Sequence, residues 1–369
     1  MKLFETTRET EHQQVLFCHD PETGLKAIIA LHNTDFGSAM GATRLFPYAS
    51  EDAALHDALR LSRGMTYKAA CANIPVGGGK GVIIADPKQK NDRLLRAYGR
   101  FVERLKGQFI TGQDVNISLH DVHQIHRETS YVMGVKAESG GPVPLTAAGV
   151  LLGMQAAVEF RLQRQSFEGL KVAVQGLGNV GQVLCQLLSE RGAELFVSDV
   201  RQERAQEMAD RYRATIIDPD AIYDLSVDVF SPCAMGAVLN NTTIPRLQAS
   251  IVAGAANNQL EEEQKHSRML AARNILYCPD YVINAGGLIN VYNEMIGYHE
   301  GRVQTQLGNI YGTLLEIFEH AEQAEITTQE AAQHLAKKRI EKSKSEGIGR
   351  HVLPSYALPN LERRQLVQE

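Results

Sequence analysis

The chain has no basic tract, no apolar stretch near the roughly 18 residues needed to span a bilayer, no Cys-x-x-Cys pair, no internal repeat and no low-complexity segment. Each absence excludes something. With 38 basic against 43 acidic residues, a formal charge of −5 and no cationic cluster, nucleic-acid binding has no electrostatic support. Without an apolar span, and without an apolar core in Met1–Glu9, neither membrane insertion nor export is expected. The five cysteines (Cys18, Cys71, Cys185, Cys233 and Cys278) are odd in number and scattered, which fits reduced thiols in a cytoplasmic protein. An apolar share of 44% against 22% charged excludes a disordered or fibrous chain, and 369 residues leave room for two domains.

Periodicity gives the coarse order of elements. Leu25–Leu31 reads as a strand, and helical spacing runs from Ser50 to Lys68, with Glu51 and Asp52 favouring a start at Ser50. Gly77-Gly78-Gly79 reads as a loop before the buried strand Val82-Ile83-Ile84, which Asp86-Pro87 ends. Helices are expected over Asn91–Leu105 and from about Ser118 to Tyr131. Between Gly134 and Pro144 the composition turns to Gly, Pro, Ser and charge, the expected domain boundary. Beyond it come a long apolar helix from Thr146 to about Phe160 and a short strand, Val172-Ala173-Val174. A helix over Val180–Arg191 and a strand over Leu195–Ser198 follow. Further short strands at Thr215–Ile217, Val227–Phe230, Ile251–Ala253 and Ile275–Tyr277 predict a parallel sheet covered on both faces. From Asn290 the pattern is helical, with a Thr-x-x-Glu capping box at Thr327 and Glu330. The expected fold is α/β with two domains and a cleft between them. Residues 1–138 with 325–369 form a substrate-binding and catalytic domain, and 139–324 form a Rossmann-type domain.

Gly176-Leu177-Gly178-Asn179-Val180-Gly181 is a Gly-x-Gly-x-x-Gly run directly after an apolar strand and at the start of a helix. Gly176 permits the tight turn, Gly178 lets the backbone approach a pyrophosphate, and Gly181 allows close helix–strand packing. The free N–H groups of the helix start then face the phosphates. Asp199 ends the next strand, where a carboxylate accepts from ribose hydroxyls and repels a 2′-phosphate. NAD is therefore expected rather than NADP, although Arg201, two residues on, is of a type that can hold a 2′-phosphate. A glycine-rich structural turn is the alternative.

A second feature is a pair of lysines twelve residues apart, Lys68 and Lys80, the latter in Gly77-Gly78-Gly79-Lys80-Gly81. This is not a phosphate-binding P-loop, because Ile74 stands where its first Gly belongs and Gly81 where Ser or Thr should follow the Lys. Desolvation and a second ammonium both lower a lysine's pKa toward a value useful to a general base. Two lysines in one site suit an anionic substrate with a proton to lose. The alternative is two surface lysines lying over a helix and a loop.

Several segments resemble the Glu/Leu/Phe/Val dehydrogenase family. They are Met65–Lys68, Ile74–Gly81 with Asp86-Pro87, Thr111–Asn116, Gly141–Thr146, Ala253–Asn258 and Pro279–Gly287. The resemblance runs in order from about Gly37 to Ile340. It implies that Lys68 holds the substrate carboxylate, that Lys80 is the general base, and that Asp114 assists proton transfer and binds the amino group. It also implies that Thr146 and Asn257 meet the nicotinamide end of the cofactor, that Asn284 helps shape the site beside it, and that Ala255 is among the cofactor-binding residues. The implied reaction is reversible NAD-dependent oxidative deamination of an L-amino acid to a 2-oxo acid and ammonia. A homo-oligomer with a dimer as its minimal unit is implied as well.

Glutamate-specific members place Lys where Met40 stands and Ser where Val291 stands, so the resemblance implies an apolar substrate. Met40, Gly41, Ala69, Ile74, Ile110, Leu288, Ile289, Val291 and Tyr292 are the expected pocket. Tyr292, with the small Ala69, points to an aromatic side chain, tryptophan first, with phenylalanine and branched-chain amino acids as alternatives. A non-catalytic NAD-linked sensor is the rival of a different class; the presence of Lys68, Lys80 and Asp114 together speaks against it. His120, His123 and His126 can share a helix face, but no carboxylate or cysteine completes a metal shell and no metal is expected.

Overall fold

The structure, a computed structural model, describes residues 3–135 and 141–346. The expected boundary at Gly134–Pro144 lies partly outside them, and the segment after Gly347 wholly so. The chain divides into two compact units, described in turn. One comprises Met1–Glu138, Val291–Tyr298 and the chain from Lys337 on; the other comprises Ser139–Asn290 and His299–Ala336. The chain thus returns to the first unit at 291–298 and again at 337, rather than at the expected 325. The reason is that two helices, Gly286–Met295 and Thr328–Glu346, each begin in the second unit and end in the first.

The first unit opens with α1 (Leu3–Glu9), β1 (Gln14–Asp20), β2 (Leu25–Asn33), β3 (Ala39–Met40) and β4 (Thr43–Phe46). It continues with α2 (Glu51–Cys71), β5 (Gly77–Ile84), α3 (Asp92–Arg104), β6 (Phe109–Ile110) and α4 (Leu119–His126). The sheet has the order β1-β2-β5-β3-β6, with β4 also pairing with β5. The β1–β2 and β2–β5 pairs are antiparallel and the others parallel. Helix α2 starts where expected, with the Ser50 side chain accepting from Ala53 N–H at 3.1 Å. Helix α4 stops at His126 rather than near Tyr131. The chain leaves the helix to bridge Val132 to Thr111, with Thr111 N–H donating to Tyr131 O at 3.0 Å and Met133 N–H to Thr111 O at 2.7 Å. Where α2 ends, Arg339 donates to the carbonyl of Cys71 at 2.6 Å.

The expected Gly77–Gly79 loop is instead strand, continuous through Lys80 to Ile84. The glycines are there for proximity. A Cβ on Gly78 would run into the backbone N of Thr66 on α2, and one on Gly81 into the Tyr98 and Thr43 hydroxyls on the opposite face. Side chains alternate along a strand, so Gly78, Lys80 and Val82 form the row that faces α2. Val82 packs there with Ala54, Leu55, Ala58 and Leu59 of α2. The opposite face packs on α3 and α4, through Leu94, Leu95, Tyr98, Val122 and Ile125.

The second unit begins with α5 (Pro142–Leu162), β7 (Lys171–Gln175), α6 (Asn179–Ser189), β8 (Glu194–Ser198), α7 (Gln202–Tyr212) and β9 (Thr215–Ile216). It continues with β10 (Val229–Pro232), β11 (Ile251–Val252), α8 (Glu263–Ala272), β12 (Leu276–Tyr277) and α9 (Asp280–Ile283). Last come α10 (Gly286–Met295), α11 (Glu300–Ala324) and α12 (Thr328–Glu346). All six strands are parallel, in the order β12-β11-β10-β7-β8-β9, so the strand order reverses at β7. That reversal is where open parallel sheets bind dinucleotides. The predicted capping box is present, with Thr327 N–H donating to Glu330 and Glu330 N–H to Thr327 Oγ1 at 3.1 Å.

Helix α5 corrects one expectation, because by length and composition alone it is apolar enough to cross a bilayer. Its contacts give a different reason for its composition. It packs against α6, α9 and α11, and Gly149 and Gly153, one turn apart, let Ile283, Ile310 and Leu314 close against its backbone. The five cysteines are free thiols, all buried except the half-buried Cys233.

The glycine row in β5 yields a stability prediction. Gly78→Ala overpacks the α2–β5 contact and is expected to cost about 1–3 kcal/mol, checked by urea denaturation. Gly308→Ala in the interior of α11, whose Cβ would meet nothing within 4 Å, is the contrast of opposite sign, expected to stabilise by up to about 1 kcal/mol.

Candidate active site

In the first unit the site is built on the sheet face that carries α2. Lys80 projects from β5 opposite Ala30 of β2 and is 6% exposed. Its ammonium donates to Asp114 Oδ2. Asp114 sits just past β6, in a stretch held against β4 by backbone bonds. Thr43 N–H donates to Gly112 O at 2.9 Å and Leu45 N–H to Val115 O at 3.0 Å. Asn116 then turns the chain at φ 58°, a left-handed conformation that asparagine tolerates, and its Nδ2 donates to Leu45 O.

The same Asp114 oxygen accepts from a second cation. Arg44 on β4 donates through Nε to Asp114 Oδ2 at 3.3 Å and through Nη1 to Asp57 Oδ2 at 3.0 Å. Asp57 lies on α2 and also accepts from Tyr48 Oη at 2.5 Å. Sequence reasoning passed over Arg44, Asp57 and Tyr48. No spacing marks them, because they meet only once β4, β5 and α2 are assembled.

Burial lowers the pKa of Lys80 below the ordinary lysine value, and Asp114 opposes that shift. For Asp114 burial works upward, but Lys80 and Arg44 outweigh it and hold the carboxyl below the usual carboxylate range. The result is a buried ion pair whose ammonium gives up its proton more readily than a solvated one. Lys68 stands half-buried in the last turn of α2.

Of the expected pocket residues, Met40 and Ile110 are paired across β3 and β6, and Met40 is in register with Gly78. Their neighbours Ala39 and Phe109 approach Gly79 on the α3 side, so Met40 and Ile110 face the Lys80 side. Met40, Ala69, Ile74 and Ile110 are fully buried. Gly41 is required by closeness, since a Cβ there would strike the Gly79 carbonyl. Leu288, Ile289, Val291 and Tyr292 lie on α10, which spans the division between the units.

In the second unit the glycine run follows β7. Gly176 has φ +94°, Gly178 caps α6 with no side chain on its N–H groups, and a Cβ on Gly181 would strike the Gly176 carbonyl. Asn179 and Val180 open α6, and the buried Leu177 sits between the first two glycines. Asp199 already accepts from two backbone groups, Leu177 N–H at 2.7 Å and Arg201 N–H at 2.8 Å, and Arg204 lies 4.0 Å away. A carboxylate has about four lone-pair sites, so acceptor capacity remains. Asn284 Nδ2 donates to Ala255 O at 3.0 Å and Asn257 Oδ1 at 2.9 Å, while its own Oδ1 is buried without a partner. Thr146 donates to Pro142 O. The three helical histidines are not drawn to one point, with His120 facing Asp92 and His123 facing the Val135 carbonyl. Among the described residues Glu261, Glu262 and His266 lie close enough to share a cation. Both His266 nitrogens are engaged, however, by Glu262 N–H at 2.8 Å and Asn241 Oδ1 at 3.3 Å.

The chain is similar to known proteins over most of its length. The model of the Glu/Leu/Phe/Val dehydrogenase dimerisation domain matches residues 12–136, and that of Glutamate/Leucine/Phenylalanine/Valine dehydrogenase matches 139–201 and 194–347. The chain is 63% identical to an L-tryptophan dehydrogenase of Nostoc punctiforme over 344 residues, 93% of this chain and 98% of that one. It is 47% identical to a leucine dehydrogenase of Thermoactinomyces intermedius, over 92% of this chain and 94% of the other. The crystal structure of L-tryptophan dehydrogenase from Nostoc punctiforme superposes with a TM-score of 0.83 at 61% identity, covering 93% and 99% of the two chains.

The ion pair predicts a stability pattern. Asp114→Asn leaves the buried ammonium without its counter-charge and is expected to cost about 3 kcal/mol at pH 7, whereas Lys80→Met with Asp114→Leu recovers most of the loss. Urea denaturation of the single and double variants checks this. In the wild type, Asp114's contribution is present above about pH 4 and is lost as pH falls through its depressed pKa.

Proposed function

The chain belongs to the Glu/Leu/Phe/Val dehydrogenase family, and from that premise we propose that it oxidatively deaminates L-tryptophan to its 2-oxo acid, with NAD as hydride acceptor. The observation that carries the chemistry is the burial of Lys80 against Asp114. A buried lysine with a lowered pKa gives its neutral, basic form more readily than a solvated one, and the adjacent carboxylate receives or returns its proton. Tryptophan is supported by the 63% identity to an L-tryptophan dehydrogenase and by the apolar Met40 and Val291 in place of side chains that would hold a carboxylate.

The second unit fits a dinucleotide on its own residues. The left-handed Gly176, the uncapped N–H groups at Gly178 and the Cβ-free approach at Gly181 make a cradle for a pyrophosphate. Asp199 would take the ribose hydroxyls and select NAD over NADP. The unpartnered Asn284 Oδ1, with Asn257 and Thr146, suits the carboxamide of a nicotinamide. When bound, NAD supplies the acceptor for hydride from the substrate Cα. The protein's own work is positioning and proton transfer. Lys68 holds the substrate carboxylate by charge, and Asp114 accepts from the amino group. After oxidation leaves an imine, Lys80 removes a proton from the water that adds to it, and ammonia departs from the resulting carbinolamine. We read the assembly as a homo-oligomer with a dimer as its unit, supported by the match of 12–136 to a dimerisation domain, and the compartment as cytoplasmic, supported by the free thiols.

NADH formation with a panel of L-amino acids tests the reading. Tryptophan is expected to give the highest kcat/KM; preference for leucine or valine would overturn the substrate assignment, and no turnover of any amino acid the reaction itself. Lys80→Ala is expected to lower kcat by at least ~1000-fold while NAD binding, followed by fluorescence, stays within about twofold. The deamination rate should rise with pH to a plateau reached below the ordinary lysine pKa of 10.5, because Lys80 acts unprotonated and burial lowers its pKa. Asp199→Asn should shift the NAD-to-NADP preference toward NADP by ~10-fold or more, read as the ratio of kcat/KM values.

A further inference from the structure

We infer that Arg44 is a positioning residue for the Lys80–Asp114 pair, set in place in turn by Asp57 and Tyr48. The inference rests on the deaminase reading above, because it concerns how that reading's base is held. Four charges alternate in sign across the α2 face of the first unit's sheet, from Lys80 on β5 through Asp114 and Arg44 to Asp57 on α2. Arg44 sits between the two carboxylates and gives one nitrogen to each, Nε to Asp114 and Nη1 to Asp57. A guanidinium does this because its donors are fixed in one plane, whereas a lysine ammonium offers no such fork. Arg44, Asp57 and Asp114 each keep only about a quarter of their side-chain surface exposed, at 25%, 23% and 22%.

The arrangement has two effects. Because Lys80 and Arg44 share Asp114 Oδ2, the carboxylate cannot swing toward either cation without losing the other. Asp57, closed from behind by the Tyr48 hydroxyl, denies the same freedom to Arg44. The second effect is electrostatic. A fixed guanidinium close to Lys80 favours its neutral form, and Asp57 favours the charged one. Among the other titratable groups on elements packed against β5 are Tyr67 and Lys68 on α2, His32 on β2 and Tyr98 on α3. His32 is hydrogen-bonded to Thr66 and kept neutral by burial, with its pKa lowered to about 3, and Tyr98 lies on the opposite face.

The two charges therefore make opposite demands on Lys80, and a simple loss of packing would not reproduce that opposition. In Arg44→Met, kcat is expected to fall by ~10- to 100-fold at unchanged KM for NAD, and the rising limb of the pH–rate profile to move up by about one pH unit. In Asp57→Asn the limb is expected to move down. Arg44→Lys should restore most of the limb position but not kcat, since charge returns without the fork. Lysine 13Cε NMR titration, with Lys80→Arg identifying the resonance, reads the same two shifts without turnover. Opposite displacements in the two variants support the inference. Limbs and titrations that stay put, or move the same way, overturn it even if both variants are slow. A wild-type enzyme that oxidises no amino acid yet shows the opposed NMR shifts would instead remove the deaminase reading.

Discussion

The first unit depends on how closely α2 can lie against β5. A strand normally holds a helix off by the length of its side chains, and here the facing row begins with glycine at position 78, where helix backbone and strand backbone meet. That contact brings α2 down over the sheet face that carries Lys80, which is 6% exposed, and it carries Asp57 within reach of Arg44. The lowered proton affinity of Lys80 is thus a packing effect before it is an electrostatic one. The neighbouring Asp114 keeps the ammonium tolerable in a place where an unpaired one would be expelled or neutralised.

The second unit uses the same device at the start of α6. Gly181 lets the helix come down onto the Gly176 carbonyl, and the turn at Gly176 exists because a left-handed residue is needed there. The side chain of Asp199 ties that turn to β8 through Leu177 N–H, so the residue read as selecting the ribose is also part of the cradle's framework. Two buried carboxamides hold the loop opposite. Asn284 reaches the Ala255 carbonyl, and Gln259 reaches those of Gly254 and Ala256 at 2.8 and 3.0 Å. Three successive carbonyls are fixed in this way, which orients Asn257 at the end of the loop.

Much of this was legible in the sequence, for identifiable reasons. The parallel sheet announced itself through short apolar strands at regular intervals, and the Gly-x-Gly-x-x-Gly run through its place between strand and helix. Lys80 stood out against glycine. The Gly77–Gly79 stretch was misread because consecutive glycines look like freedom, while in the fold they are room for a neighbour; nothing local distinguishes the two. Arg44, Asp57 and Tyr48 were invisible for a related reason. Their chemistry arises between strands whose pairing is set by distant packing, and an arginine after a threonine on a short strand carries no pattern of its own. The domain return was misplaced because helical periodicity does not change where a continuous helix passes from one unit to another.

The bond from Arg339 to the end of α2 joins groups 268 residues apart in the chain. The second unit is nearly contiguous, whereas the first gathers segments from both sides of it. During synthesis the sheet bearing Lys80 therefore emerges early but waits for its last helix, and the carbonyls at the end of α2 stay without Arg339 until that residue has left the ribosome. Contacts of such long sequence separation form late and slowly. Neither unit is complete until α12 has been made, because that one helix supplies the last described segment of both.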